Sequence, residues 1–141
     1  MTGKGSLNHN SRKFHAKNTD PNRTHWNVEY CNEDIKDVYH ELFDEALKRY
    51  NDKQTRKDRK IDDYYEKIRS GKQEKLFHEV ILQIGDKDNM GSETMEGQLA
   101  AKILDEYMKG FQERNPTLRI FAAHLHLDEA TPHLHLSLIH I

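Results

Sequence analysis

His126, Asp128, Glu129, His133 and His135 all lie in one ten-residue string, His126-Leu-Asp-Glu-Ala-Thr-Pro-His-Leu-His135. The apolar run Leu118-Arg-Ile-Phe-Ala-Ala leads into it and reads as a buried strand, while Asp128 to Pro132 reads as a turn. After the turn, His133 and His135 alternate with leucines. Residues two apart on a strand point to the same side, so both imidazoles leave one face, and a hairpin would return His126 beside them. Three neutral imidazoles converging on one point suit a divalent transition metal, with two carboxylates close by. Three protein ligands leave coordination positions open, which a catalytic ion needs and a structural one does not. A solitary histidine on a strand is ordinary polar surface. A spaced set with a rigidifying proline in its turn is not.

The rest of the chain must supply the scaffold. At 141 residues it has room for one domain. Charged residues make up 33% and hydrophobic ones 35%, a polar balance that predicts solvated helices around a modest core. Residues 1 to 24 are rich in Gly, Asn, Ser and Lys and lack periodicity, so they read as an active-site loop with a short opening strand. Trp26 to Cys31 reads as a strand. Ile35, Val38, Tyr39, Leu42, Phe43, Ala46, Leu47 and Tyr50 follow helical spacing, with Asn32 or Asp34 as the cap. Gln54 to Lys60 is a charged connector. Ile61 to Arg69 reads as a shorter helix closed by Gly71.

Leu76 to Ile84 reads as a strand with Leu76, His78, Val80, Leu82 and Ile84 on one side, which makes His78 a packed or edge histidine rather than a ligand. Ser92 or Thr94 caps a third helix that carries Leu99, Ile103, Leu104, Tyr107, Met108 and Phe111 as its apolar residues, and Pro116 marks its stop. The expected fold class is α+β: an antiparallel sheet with helices packed on one side and the histidine hairpin central.

Net charge is −2, so nothing in the total favours nucleic acid. The distribution is less even. Lys4, Arg12, Lys13, Lys17 and Arg23 face only Asp20 before Trp26, and Arg56, Lys57, Arg59 and Lys60 form a second basic cluster. Such patches can neutralise phosphates. No apolar stretch reaches the length needed to span a bilayer, and no secretory signal is visible at Met1 to Asn10. Cys31 is alone, which excludes an internal disulfide and fits a reducing cytoplasm.

The string His-x-Asp-Glu-x-Thr-Pro-His-x-His resembles the metal motif of the Mob/Pre family. These are plasmid mobilisation relaxases, also called plasmid recombination enzymes, of the His-hydrophobic-His endonuclease group. Two further segments agree, in the family's order. Gly3-Lys-Gly-Ser-Leu-Asn-His9-Asn10-Ser11-Arg12 resembles the first motif, His-Asn-x-Arg, and Asn18-Thr-Asp20-Pro21-Asn-Arg23-Thr24-His25-Trp26-Asn27 resembles the segment leading toward the second. The resemblance covers nearly the whole chain. One departure is Asn27-Val28-Glu29-Tyr30, where many members read Asn-Tyr.

The resemblance implies a relaxase-like fold and metal-dependent cleavage and rejoining of one DNA strand at a plasmid transfer origin. It implies His9 as the nucleophile, leaving a covalent 5′-phosphate adduct and a free 3′ hydroxyl. In that scheme His126, His133 and His135 hold the metal, with Mn first and Mg or Zn as alternatives. Glu129 orients His9 or takes its proton. Asp128 fixes a ligand histidine from behind. Asn10, Arg12 and Arg23 contact DNA, Arg12 in a bidentate grip on phosphate. The implied partner is single-stranded or supercoiled plasmid DNA at the origin, and a coupling protein would be compatible with this function. Tyr30 is the rival nucleophile. Two other functions stay open: a rolling-circle replication initiator or transposase of the same endonuclease group, and a non-catalytic, metal-stabilised DNA-binding module.

The last six residues, Leu136-Ser-Leu-Ile-His-Ile141, match the in-frame reading of CTGTCTCTTATACACATC, the mosaic-end sequence of transposon-based sequencing libraries. The expected organisation is therefore residues 1–135 as an incomplete relaxase catalytic domain, truncated in the metal-bearing strand, and 136–141 as adapter read-through. His140 is then no ligand, despite its spacing. A site lacking part of its supporting shell is expected to be loose, and the fragment a poor nickase.

Overall fold

The computed structural model describes the backbone of Thr2–Gly3 and all of residues 6–141. Lys4, part of the basic N-terminal segment, lies outside the described residues. A sheet of five strands forms the centre, in the order β1-β3-β5-β4-β2: β1 is Thr2–Gly3, β2 Val28–Asn32, β3 His78–Gln83, β4 Leu118–His126 and β5 His133–His140. Every neighbouring pair is antiparallel. The hairpin of β4 and β5 sits in the middle, flanked on both sides, so its backbone is saturated with ladder hydrogen bonds.

The helices are α1 (Leu7–Asn10), α2 (Ile35–Asp52), α3 (Tyr64–Ser70), α4 (Met95–Lys109) and α5 (Phe111–Arg114). The expected caps are present in part. Asp34 accepts from the Lys36 and Asp37 amides, and Thr94 accepts from the Gly97 amide. Gly71 follows α3 and donates to the Lys67 and Ile68 carbonyls. The segment before β2 differs from the loop expected there: α1 and a 3-10 turn at Thr24–Trp26 give it regular structure.

The helices do not lie on one side of the sheet. On β5, Leu134, Leu136 and Leu138 pack against α4 and α5, together with Ile120, Ala123 and Leu125 of β4. On the opposite face Phe121, Ala122 and Ile139 pack against Val38 and Tyr39 of α2 and Ile68 of α3. A bulge at Phe121 makes this arrangement work. The register runs Ile120↔Leu138 and then Ala122↔Ser137, so Phe121 is an extra residue on β4. Ile120 faces α4, while past the bulge Ala122, and by alternation His124 and His126, face the other way.

The inner face of α4 is also not the one its large residues suggest. Gly97, Ala100, Ala101 and Leu104 are buried, whereas Leu99 is 58% exposed and Ile103 and Tyr107 are exposed as well. Small residues let the helix axis approach closely. A Cβ at Gly97 would lie 1.9 Å from the Gly91 carbonyl oxygen, so only glycine fits there. In α2, Val38 and Tyr39 are buried and Leu42 and Phe43 half-buried, but Ala46 and Tyr50 are exposed, so the apolar stripe is core only over its first half. In and beside β3, Val80, Leu82 and the following Ile84 pack toward α4, the preceding Leu76 packs with the α2–α3 cluster, and His78 is exposed rather than packed.

Truncating Leu134, fully buried at the sheet centre, should cost about 3 kcal/mol by urea denaturation. Leu99→Ala should stay within about 0.5 kcal/mol. Comparable losses at the two positions would place Leu99 in the core after all.

Candidate metal and nucleophile centre

The hairpin register builds the histidine cluster. His126 pairs directly with His133, and His124 with His135, so His126, His133 and His135 share one face. Their ring centroids lie 4.7 to 5.3 Å apart, and one nitrogen from each comes within 4.8 Å of the others. All three are buried.

Each ring is oriented from behind. His126 Nε2 donates to the Asn10 carbonyl at 2.8 Å, His133 Nδ1 to the Thr131 carbonyl at 2.9 Å, and His135 Nδ1 to Glu79 Oε1 at 2.9 Å. These bonds fix the tautomers and turn the other nitrogen of each ring inward. Among the described residues, His126 Nδ1 and His135 Nε2 are buried with no hydrogen-bond partner. Unpaired buried nitrogens are costly unless something else binds them. The three residues fit a divalent ion on that observation. Burial pushes the His126 pKa down to about 3, which leaves the ring neutral, the form that binds a metal.

The turn from Leu127 to Pro132 is clamped by the segment that precedes β2. The Asp20 amide donates to the Asp128 carbonyl at 2.6 Å, Arg23 Nη1 to the Leu127 carbonyl at 3.2 Å, and the Leu127 amide to Asn27 Oδ1 at 2.7 Å. Asp128 is fully buried. It does not touch a ligand histidine, contrary to the sequence expectation, but accepts from Arg12 Nε at 2.9 Å, Arg12 Nη2 at 2.6 Å and Thr24 Oγ1 at 3.0 Å. Burial would raise its pKa, but these bonds more than offset that and hold it well below the usual carboxylate range.

Arg12 also donates to Glu129 Oε1 at 2.9 Å and to the His9 carbonyl at 2.9 Å. Its guanidinium is thus taken up by two carboxylates and is 7% exposed, rather than open for the bidentate phosphate contact expected of it. Arg23 is engaged likewise, by Asp20 and the Leu127 carbonyl. Asn10 is buried, with its amide on Glu79, so the structure gives it a bracing place instead of a DNA-facing one.

His9 lies at the lip of the same centre. Its Nε2 is 3.2 Å from Arg12 Nη1 and 3.6 Å from Glu129 Oε1, and its ring is 6.3 Å from that of His126. Arg12 can only donate, so the Nε2 lone pair faces it and the ring proton sits on Nδ1. Burial and the Arg12 charge lower the His9 pKa, against a smaller opposing effect of Glu129. Glu129 Oε2 is 3.4 Å from His133 Nε2, so one carboxylate touches both the histidine triad and His9. Burial pushes its pKa up, but His133 and Arg12 bring it down to about 2. The cleft in front, about 430 Å³, is lined by His9, Asn18, Gln83, Glu129, His133 and His135 among others.

Tyr30 is elsewhere. It packs on the α4 face of the sheet, its hydroxyl 2.5 Å from Asp105 Oδ1, and burial together with Asp105 raises its pKa. The rival nucleophile is therefore on the wrong side of the sheet. His140, at the far end of β5 opposite Leu118, is no part of the cluster. His124 is buried beside His126 and pairs with Glu29 at 3.0 Å. Glu79 was not foreseen. The signal for it was a lone acid inside an apolar strand, on the side opposite Val80 and Leu82, but its relevance depends on β3 lying next to β5.

Residues 4–141 match the Mob_Pre family, plasmid recombination enzyme. The chain belongs to that family. No curated protein matches it. Among solved structures it is similar to the MobM relaxase domain (MOBV; Mob_Pre), Mn-bound and in complex with a 22-nucleotide oriT DNA of plasmid pMV158, at 27% identity and TM-score 0.53. A second structure of that complex, at pH 4.6, gives 26% and 0.50. A third, with a 3′-thiophosphate, is 24% identical at TM-score 0.51 and shows the fold alone. Each match covers 94% of this chain and 61% of the relative, so the chain spans about three-fifths of the relatives' length.

His133→Ala should abolish Mn binding measured by calorimetry, and His140→Ala should leave one site of unchanged affinity. Equal affinity in wild type and His133→Ala would exclude the triad. A separate outcome concerns acid stability. Asp128 and Glu129 have folded pKa values below their unfolded ones, so the stability they carry is complete above the ordinary carboxylate range and is lost as pH falls through it toward about 2. Asp128→Asn should cost about 1.5 to 3 kcal/mol at pH 7, because it removes one of the two carboxylates that pair with Arg12, and should flatten the decline between pH 5 and pH 3. Thermal melts across that range check both.

Proposed function

We propose that this chain carries the catalytic centre of a relaxase that nicks and rejoins one strand of plasmid DNA at a transfer origin, with His9 as the covalent nucleophile. The observation that supports this most is the placement of His9 Nε2 in the cleft of the histidine triad, bridged to it by Glu129. The similarity to a relaxase domain solved with Mn and oriT DNA points the same way.

A divalent ion held by His126 Nδ1, His133 Nε2 and His135 Nε2 would supply positive charge for a non-bridging oxygen of the scissile phosphate, and Mn suits both the imidazoles and the oxygen. The other steps belong to the chain. The lowered pKa keeps His9 neutral near pH 7, with its lone pair on Nε2. That nitrogen attacks phosphorus. An N–P bond forms, the bond to the 3′ oxygen breaks, the oxygen takes a proton from water, and the ring releases its Nδ1 proton. Glu129 is ionised with a pKa of about 2, so it is a poor base at neutral pH. Its role is to stabilise the positive charge that grows on the His9 ring. The phosphoramidate conserves the bond energy for rejoining. Arg12 acts by holding both carboxylates and the His9 carbonyl rather than by gripping phosphate.

A replication initiator or transposase would share the metal and differ in the DNA cut, and a binding module would form no adduct. With Mn and a labelled single strand carrying a transfer origin, wild type and Tyr30→Phe should form a covalent adduct mapping to His9. His9→Ala should form none while still binding Mn, and chelation should stop the reaction. An adduct that survives loss of His9 would overturn the assignment.

A further inference from the structure

We propose that Phe14 is a stacking platform for the nucleobase beside the phosphate that His9 attacks, with Lys13 and Lys17 on the flanking backbone. This rests on the DNA-nicking reading above and names the part of the substrate that it leaves unassigned.

The segment Lys13-Phe14-His15-Ala16-Lys17 places one aromatic ring among cationic side chains. Arg12 has a φ of 54°, in the left-handed region, so the chain reverses directly after α1. The reversal returns the Phe14 ring to His9, with centroids 5.7 Å apart and planes tilted by 46°. Phe14 is thus held beside the nucleophile, yet 50% of it stays exposed and it belongs to neither core cluster.

The loop does not need this ring for its shape. The Lys13 amide donates to the Asn8 carbonyl at 2.9 Å. Thr19 Oγ1 donates to the Ala16 carbonyl at 2.7 Å, Asn18 Nδ2 to Glu129 Oε2 at 3.1 Å, and the Asp20 amide to the Asp128 carbonyl. The start of the loop is therefore tied to α1 and its end to the Glu129 carboxylate and the Asp128 backbone, and the ring projects from a preorganised support. Half of its surface is open to solvent directly beside His9. A base lying on it would remove that surface from water.

Charge agrees with an occupant that is a nucleic-acid strand. Lys13, His15 and Lys17 are exposed. The nearest acid in the segment, Asp20, is engaged by Arg23. An exposed ring flanked by cations is how single strands are bound without base-edge readout, because every base offers a π face.

The test uses labelled oligothymidylate and an abasic strand of the same length and backbone, with binding read by anisotropy. Wild type should prefer the strand with bases. Phe14→Ala should weaken oligothymidylate about 5- to 150-fold and leave the abasic strand unchanged. Melting temperature and Mn affinity, which the exposed ring should not control, verify that the centre is intact. In a Trp26→Phe background, the fluorescence of Phe14→Trp should be quenched by oligothymidylate and not by the abasic strand. Replacing Lys13 and Lys17 by alanine should reduce the slope of log affinity against log salt by about 1.4. Unchanged affinity in Phe14→Ala, or equal losses on both strands, would overturn the stacking proposal while leaving the nicking reading intact. A wild type that binds neither strand would overturn that reading and this proposal with it.

Discussion

Pairing His126 with His133 across the central hairpin is the constraint on which the rest of the site depends. Side chains alternate across a strand, so a slip of one residue would carry the imidazoles of β5 to the α4 face and Leu134 and Leu136 into the cleft. The protein guards this register in three ways. β3 and β2 flank the hairpin, so neither strand has a free edge along which to slide. Leu134, Leu136 and Leu138 would be exposed to polar surroundings by any slip. The turn is held through its own backbone by Asp20, Arg23 and Asn27. The bulge at Phe121 then lets one strand serve two cores, giving Ile120 to α4 and Phe121 and Ala122 to α2 and α3 while keeping His124 and His126 on the histidine side.

Charge is arranged with the same economy. Two adjacent carboxylates would raise one another's pKa. Arg12 prevents this by pairing with both, from a position that is itself nearly buried. The left-handed backbone at Arg12 brings the guanidinium under the turn while its neighbour His9 stays at the lip of the cleft. A buried ion pair of this kind adds little net stability compared with apolar packing, and its value here is geometric. It fixes Glu129 between His9 and His133 without leaving it free to take up a proton.

What could be read in the sequence was what is local in the chain. The triad lies within ten residues on a hairpin whose turn residues are explicit, and alternation alone assigns the shared face. Two helix starts followed from caps, at Asp34 of the pair Asn32 or Asp34 and at Thr94 of the pair Ser92 or Thr94, whereas α3 starts at Tyr64 behind Asp63 rather than at Ile61. The inner face of α4 did not follow, because hydrophobic size favours Leu99, Ile103 and Tyr107, whereas the buried face carries Ala100 and Ala101, with Gly97 where the helix meets the Gly91 backbone. The helices could not be assigned to two faces without knowing of the bulge, a single residue with no sequence mark. Asp128 was assigned to a histidine by proximity in sequence. Its partner is Arg12, 116 residues away. Glu79 was invisible for the same reason, since the strand order that brings β3 beside β5 is not written in β3.

Glu79 also shows how the site's two functions are joined. Its Oε1 receives His135 Nδ1 and the Asn10 amide, and the Asn10 carbonyl receives His126 Nε2. Asn10 is the last residue of α1 and follows His9 directly. Two of the three triad histidines are therefore oriented by the short helix that carries His9, the proposed nucleophile, either through its backbone or through a carboxylate shared with it. A four-residue helix has too few internal hydrogen bonds to hold itself in place. It is positioned by the histidines as much as it positions them. Reaction by in-line attack needs the nucleophile and the charge-stabilising centre to be set relative to each other, more than either needs to be fixed relative to the fold. A network that ties α1 to the triad, and the triad to the sheet centre, meets that requirement with one asparagine and one glutamate.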